Sequence, residues 1–325
     1  MKRILVEKFG GPDELKCVDS VGHLPGDDEV VVRVYASGVN PADAYIRTGQ
    51  YAFALPELPY TPGTDCAGEV LAVGSGVDRW VVGDRVYVVD VDGTTSGTYA
   101  QTVNCVERTV RPLADRLSFA QGAALGIPAV TAYRALHQRG GAQPGEAVLV
   151  HGASGAVGSL VVQMAVAAGL WVIGTAGSET GRESVLADGA HHVLDHTRPG
   201  YLDAVPGLTA GAGVSLIIEM LANVNLEHDF TVLGRRGRIV IVGSRGTLNF
   251  APRRTMVAEA DIRGTAVWNM NRDEVKQALQ HIEVLVEHRL LTPRVGATFA
   301  LSEAAAAHRS ILGVHPPGRM VLDCT

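Results

Sequence analysis

An apolar run, Ala147-Val-Leu-Val-His151, gives way to Gly152-Ala-Ser154-Gly155-Ala156-Val157-Gly158 and continues through Ser159 to Ala168 as an uninterrupted helix former. Strand, tight turn and helix in direct succession leave few folds open to the chain. Glycines in such a turn let backbone approach a ligand closely, and the first amides of a helix carry about half a positive charge. An anion is therefore the natural guest, and in an open α/β sheet it is a pyrophosphate. Ser154 adds a hydroxyl donor. The spacing differs from G-x-G-x-x-G by one extra residue between Gly152 and Gly155, so the reading draws on context.

The context is a change of pattern near Ser118. Before it, short β-branched runs (30–34, 69–73, 85–89 and 100–103) alternate with the turn pairs Pro25-Gly26, Pro62-Gly63 and Gly83-Asp84, as in a compact β-rich unit. After it, strands are predicted at 147–151, 171–174, 192–194, 216–219, 238–242 and 261–265 with helix-length intervals between them, the pattern of parallel βαβ units. A helix over 272–287, a strand over 295–301, an Ala-rich helix over 302–312 and a last strand over 318–322 follow, and this tail is expected to rejoin the first unit. The fold class is thus α/β, a doubly wound parallel sheet plus a mostly β domain. The expected boundaries are 1–122 with 270–325, and 123–269.

Two further predicted strands end in small or polar turns, Glu219-Met-Leu-Ala-Asn223 and Val242-Gly-Ser-Arg245-Gly246. Ligands of open α/β sheets bind outside the carboxyl ends of the strands, which makes these turns part of the candidate site. A dinucleotide carrying a free ribose 2′-hydroxyl calls for Asp or Glu about 20 residues beyond the glycines. Here that count reaches Gly177, in the uncharged stretch Gly174 to Ser178, with Arg182 one helical turn on. A 2′-phosphate is accommodated there and an acid is missing, so the sequence favours NADPH; Glu179 is the residue that would reverse this in a tighter turn.

The sequence excludes several other classes. Its 28 Lys and Arg against 34 Asp and Glu, a net charge of -6, give no basic footprint for general nucleic-acid binding. No apolar run is long enough to span a membrane and no leader pattern opens the chain, so the expected compartment is the cytosol. Cys17, Cys66, Cys105 and Cys324 are too far apart for a zinc ribbon or a disulfide framework. No metal site is expected.

Gly38-Val-Asn40-Pro-Ala-Asp-Ala-Tyr45-Ile-Arg47-Thr-Gly49, Leu58-Pro-Tyr-Thr-Pro-Gly63, Gly83-Asp-Arg-Val86, Gln121 to Pro128, Thr131 to Leu136, His151 to Gly158 and Ile218 to Asn225 stand in this order along the chain. In these stretches the sequence resembles the zeta-crystallin type of quinone oxidoreductase, in the medium-chain dehydrogenase/reductase superfamily. The resemblance covers nearly the whole chain, and departs at Gly155-Ala156, where the family carries a glycine pair. It implies a GroES-like domain built from both chain ends, a Rossmann domain between them, and reduction of a quinone or enone by NADPH without zinc. Zinc alcohol dehydrogenases of the superfamily place Cys near Asn40 and Gly-His-Glu near Gly63-Thr64-Asp65, and neither ligand occurs here.

Carried over residue by residue, the resemblance implies Tyr45 and Thr131 near the nicotinamide and Ser154, Gly155, Ala156 and Val157 on the pyrophosphate. Gly177, Arg182 and His196 would flank the adenosine. Asn225, the run Val242, Gly243, Ser244, Arg245 and the run Thr265, Ala266, Val267 would complete the groove. Tyr45, with Asn40, is the candidate donor to the acceptor oxygen, and Tyr51 in the apolar segment 49–59 lines the acceptor pocket. The competing functions are an enone or enoyl-thioester reductase in the same groove, and an NADPH-binding structural or RNA-binding protein. A homodimer or homotetramer is expected, since the predicted edge strand 261–265 would otherwise leave backbone groups unpaired.

Overall fold

The computed structural model describes residues 1–22, 24–313 and 316–325. It divides into two compact units, Met1–Ile127 with Pro293–Thr325, and Pro128–Thr292. The first unit opens with β1 (Lys2–Leu5), β2 (Lys16–Asp19) and β3 (Glu29–Gly38), then α1 (Pro41–Arg47), β4 (Asp65–Val73), β5 (Arg85–Val89), β6 (Thr102–Val106) and β7 (Val110–Pro112). The helix α2 (Phe119–Tyr133) kinks at Gly126, two residues before Pro128, and leads into the second unit. Proline explains the break, because it has no N–H to give to the helix ladder.

The second unit alternates strand and helix: β8 (Ala147–Val150), α3 (Ala156–Ala167), β9 (Trp171–Thr175), α4 (Glu179–Ala187), β10 (His192–Leu194), α5 (Val205–Leu208), β11 (Val214–Glu219), α6 (Ala222–Asp229), β12 (Leu233–Ile241), α7 (Arg253–Ala258), β13 (Asp261–Gly264) and α8 (Arg272–Glu287). The six strands lie parallel in the order β10-β9-β8-β11-β12-β13. One register line crosses the sheet through Ile173, Leu149, Ile217 and Ile239, all 0% exposed. Each such side chain contributes roughly 1.5–3 kcal/mol by leaving water, which is why these strands read as continuous apolar runs. From β8 the chain turns one way to β9 and later the other way to β11, so the strand order reverses at β8.

The chain then returns to the first unit as β14 (Val295–Ala300), α9 (Ala304–Ser310) and β15 (Arg319–Asp323). These complete a seven-stranded sheet, β14-β15-β3-β4-β5-β7, with β6 also pairing β3. Val30, Val32 and Val34 alternate along β3 into one buried cluster with Cys66, Val70, Val86 and Val88, while Arg33 between them is exposed.

The units part at 127/128, against an expected 122/123, and at 292/293, against 269/270. The second difference concerns α8, which belongs with the second unit and meets its helical segments around Arg134 and Gln163. Its stripe Ala278, Leu279, Ile282, Leu285 and Val286 is buried. Arg134 pairs with Glu274 at 3.2 Å, and Gln163 exchanges hydrogen bonds with the Thr292 backbone. Helical periodicity marks α8 but cannot say in which unit its apolar stripe is buried.

Candidate functional site

The phosphate turn begins where β8 stops. Gly152 takes a left-handed φ of 56°, open to glycine at little cost. Its amide donates to Thr175 Oγ1 at 3.1 Å, and the Ala153 amide to the Thr175 carbonyl at 2.8 Å, so the turn hangs from the end of β9. Gly155 is the N-cap of α3, and no side chain caps it. The first hydrogen bond to enter the helix ladder is Ser159 N–H to Gly155 C=O at 3.0 Å, which leaves the amides of Ala156, Val157 and Gly158 facing outward from the helix start. At Gly158 an added Cβ would stand 2.3 Å from the Gly152 carbonyl oxygen and 2.7 Å from Ala153 Cα. This glycine therefore lets α3 press on the turn, whereas Gly155 faces nothing nearer than 3.3 Å.

Around this turn the sheet gathers most of the residues singled out from the sequence. Gly177 abuts His196: a Cβ there would sit 2.7 Å from the imidazole Nε2. Burial lowers the pKa of His196 and keeps it neutral. Arg182 lies nearby on α4, yet it does not stand free. Its guanidinium meets Asp195 at 3.0 Å, and Asp195 also takes the Thr197 hydroxyl at 2.6 Å and Arg198 at 3.4 Å. Arg182, expected to be open to a 2′-phosphate, is thus engaged by a carboxylate thirteen positions away, a pairing that no local sequence pattern marks. Glu179 is exposed in the first turn of α4, beyond the Ser178 N-cap, and the stretch 174–178 carries no charge.

The next strand ends supply the other rim. Asn225 donates to Glu219 at 3.1 Å, the Val242 amide donates to the Glu219 carbonyl, and Asn223 accepts from Ser244 Oγ and the Arg245 amide. Gly243 runs so close to Met220 that a Cβ would lie 2.5 Å from its carbonyl oxygen. Thr265 donates its amide to Ile241, and Val267 is nearly buried two residues on. Thr131 belongs to the same unit but lies on α2 rather than at a strand end.

The remaining candidates belong to the first unit. Tyr45 is half-buried on α1 and its hydroxyl forms no hydrogen bond among the described residues. Tyr51 and Phe53 hold their rings 5.4 Å apart on a segment where Phe53 and Leu55 are exposed. Asn40, expected beside Tyr45 as a reacting group, is instead committed to the scaffold. Its Nδ2 donates to Asp65 Oδ1 at 3.0 Å and its Oδ1 accepts from Arg319 Nη1 at 2.8 Å. Arg319 Nη2 also grips both Asp65 oxygens, at 2.8 and 2.9 Å, and Asp65 accepts the Ile127 amide. No local signal announces this triad, because Arg319 is 254 residues from Asp65.

Family models match both units: "Alcohol dehydrogenase GroES-like domain" over residues 26–115 and "Zinc-binding dehydrogenase" over 156–283. A quinone oxidoreductase of Homo sapiens is 42% identical over 99% of this chain and 97% of its own length. One of Rattus norvegicus is 44% identical over 98% and 96%. The chain belongs to the quinone oxidoreductase family. Among solved structures, the Escherichia coli quinone oxidoreductase complexed with NADPH superposes with a TM-score of 0.88 at 28% identity, covering 99% of this chain and 100% of that one. With these relatives the zeta-crystallin-like resemblance and the Rossmann and GroES-like architecture stand.

The second family description raises the question of zinc, and the donor set answers it. A catalytic zinc needs Cys, His or carboxylate ligands around an open position. In this quinone oxidoreductase family member, Asn40 and Asp65 close around a guanidinium, and both groups of the Arg319–Asp65 pair are at most 3% exposed. A cation cannot share that place with Arg319, so zinc does not fit there. Among the described residues no helix is long and apolar enough to cross a membrane.

Proposed function

We propose that this protein transfers reducing equivalents from NADPH to a quinone without the help of a metal. The observation that carries the reading is the uncapped start of α3 beneath Gly155, beside an uncharged β9 end, in a chain whose full-length relatives are named quinone oxidoreductases. NADPH, when bound, supplies the hydride equivalent, and the protein's share is to hold and orient the reactants.

In this reading Ser154, Gly155, Ala156 and Val157 line the pyrophosphate, with the outward amides at the start of α3 and the Ser154 hydroxyl donating to it and Gly155, whose own amide goes to the Gly152 carbonyl, keeping the approach open. Gly177, Arg182 and His196 take the adenosine end, with Arg182 turning from Asp195 to the 2′-phosphate. Asn225, Val242 to Arg245, Thr265 to Val267 and Thr131 hold the remainder. Tyr45 donates a hydrogen bond to the acceptor oxygen, which gains negative charge during reduction; its unengaged hydroxyl supports this role. Asn40 serves by fixing α1 against Asp65 and Arg319, and Tyr51 shapes the acceptor pocket. The protein works as a homodimer or homotetramer in the cytosol, an assembly supported by the open edge of β13 and by the exposed Met256, Val257 and Ile262 beside it.

The test is oxidation of NADPH or NADH by purified protein with 1,4-quinones, 1,2-quinones, 2-alkenals and enoyl thioesters, with and without a chelator. Chelator-insensitive turnover of a quinone with preference for NADPH is expected. Turnover confined to alkenals or thioesters moves the substrate class, and NADPH binding without turnover of any acceptor removes the enzyme reading.

A further inference from the structure

Behind the phosphate turn, three titratable side chains are shut away from solvent: His151 directly after β8, Glu219 at the end of β11 and Asp229 at the end of α6. His151 is 2% exposed, and Glu219 and Asp229 are 0% exposed. His151 Nε2 lies 2.9 Å from Asp229 Oδ1 and 3.5 Å from Glu219 Oε2. Glu219 Oε1 accepts the Leu221 amide and Asn225 Nδ2. That leaves Glu219 Oε2 and Asp229 Oδ2, both buried and both without a hydrogen-bond donor among the described residues.

Two ionised carboxylates at this depth repel each other and forfeit their hydration, so one of them holds a proton. A single proton between the two unpartnered oxygens satisfies both. Its owner follows from the other bonds. Asp229 Oδ1 faces the imidazole Nε2, which donates to it in the Nε2–H tautomer of neutral His151, and burial lowers the pKa of His151 and keeps it neutral. Burial pushes both carboxyls upward, and the Glu219 side chain within hydrogen-bonding reach draws Asp229 back. Facing the cluster from other elements are Tyr201, whose ring meets His151 edge-on at 6.3 Å, and His196. The same three residues offer one ligand atom each within 4.8 Å of one another. A zinc ion there would lack its fourth ligand in a place closed to water.

We propose that His151, Glu219 and Asp229 form a one-proton clamp that positions Asn225 and the phosphate turn: Glu219 donates its proton to Asp229, which stays the single buried anion and also accepts His151 Nε2–H. The clamp ties the start of α6, through Leu221 and Asn225, to the residue before Gly152. These are positioning residues. Only the link from Asn225 to the cofactor rests on the NADPH reading.

Carboxyl carbon NMR of the full-length protein, labelled at Glu and Asp side chains, tests the protonation without any nucleotide. One glutamate is expected to remain protonated at pH 6, far above ordinary carboxyls, and its signal should vanish in Glu219→Gln. NADPH titrations from pH 6 to pH 9 test the positioning. Wild-type affinity should fall as the proton is lost. Glu219→Ala should bind about tenfold more weakly at pH 6, and Glu219→Gln, which keeps a donor it cannot lose, should restore binding and hold it constant with pH. Ordinary titration of every carboxyl, a Glu219→Gln profile that follows the wild type, or a stoichiometric metal in digests of the purified protein overturns the clamp. Wild-type protein that binds no NADPH at any pH defeats the cofactor reading instead, and the carbon titration still decides where the proton sits.

Discussion

Tyr45 and Asn40 lie five residues apart and have opposite fates. The Asn40 amide is used at both ends by Asp65 and Arg319, while the Tyr45 hydroxyl is unengaged. A donor aimed at developing oxyanion charge is worth on the order of 10²-fold in rate. Tyr45→Phe is therefore expected to lower kcat with a quinone by about that factor, leaving NADPH affinity within about threefold, as stopped-flow turnover and a fluorescence titration would separate. Asp195 bears on the cofactor choice. Its carboxylate holds Arg182, so a 2′-phosphate has to displace it. Asp195→Asn should tighten NADPH several-fold, with about unit change for NADH; equal shifts for both nucleotides would show that Asp195 only shapes the loop.

The phosphate turn is a property of the element β8–turn–α3. Gly158 admits no side chain, because the atoms an added Cβ would strike belong to the backbone of Gly152 and Ala153. Gly158→Ala should cost about 1–3 kcal/mol, seen as a lower urea midpoint, and should weaken NADPH by displacing α3 from the turn. Gly155→Ala meets only one atom, at 3.3 Å, and is expected to fold normally. The motif was legible because glycine spacing and apolar runs are local. The helix α8 was equally legible, with Asn271 and Glu274 capping its start, but its placement with the second unit depends on Arg134, Gln138 and Gln163, which lie more than 100 residues away in sequence.

For the molecule as a whole, buried titratable groups set the response to pH. Burial pushes Asp43 up to about 7, despite hydrogen bonds from the Asn40 backbone N–H and the Tyr99 hydroxyl. Its folded pKa exceeds its unfolded value near 3.8, so its contribution is fully present below about pH 4 and is lost as pH rises through 7. His308, held neutral by burial and by Arg47, falls to about 3; its contribution is present above its unfolded value of 6.5 and is lost as pH falls. The two oppose each other across the same interval, which flattens the profile. Asp43→Asn removes the descending part alone, so its stability deficit against wild type should shrink between pH 5 and pH 8 in urea melts. At the same scale, the β13 edge should support assembly. Ile262→Lys, which places charge on that edge, is expected to lower the mass measured by light scattering, and an unchanged mass would place the contact elsewhere.

By itself the sequence determined what depends on neighbours along the chain: the strand–turn–helix around Gly152 to Gly158, the parallel α/β class, the uncharged end of β9 and the resemblance that supplied a family. Apolar periodicity and glycine placement are short-range signals, and they survive without coordinates. Tertiary structure alone decided which polar groups meet. Arg319 comes to Asn40 and Asp65 from the other end of the chain, Asp195 takes Arg182, and Asp229 joins His151 and Glu219 across 78 residues. The physical reason is that a buried charge must find its partner wherever the fold brings one, and sequence distance does not record that meeting.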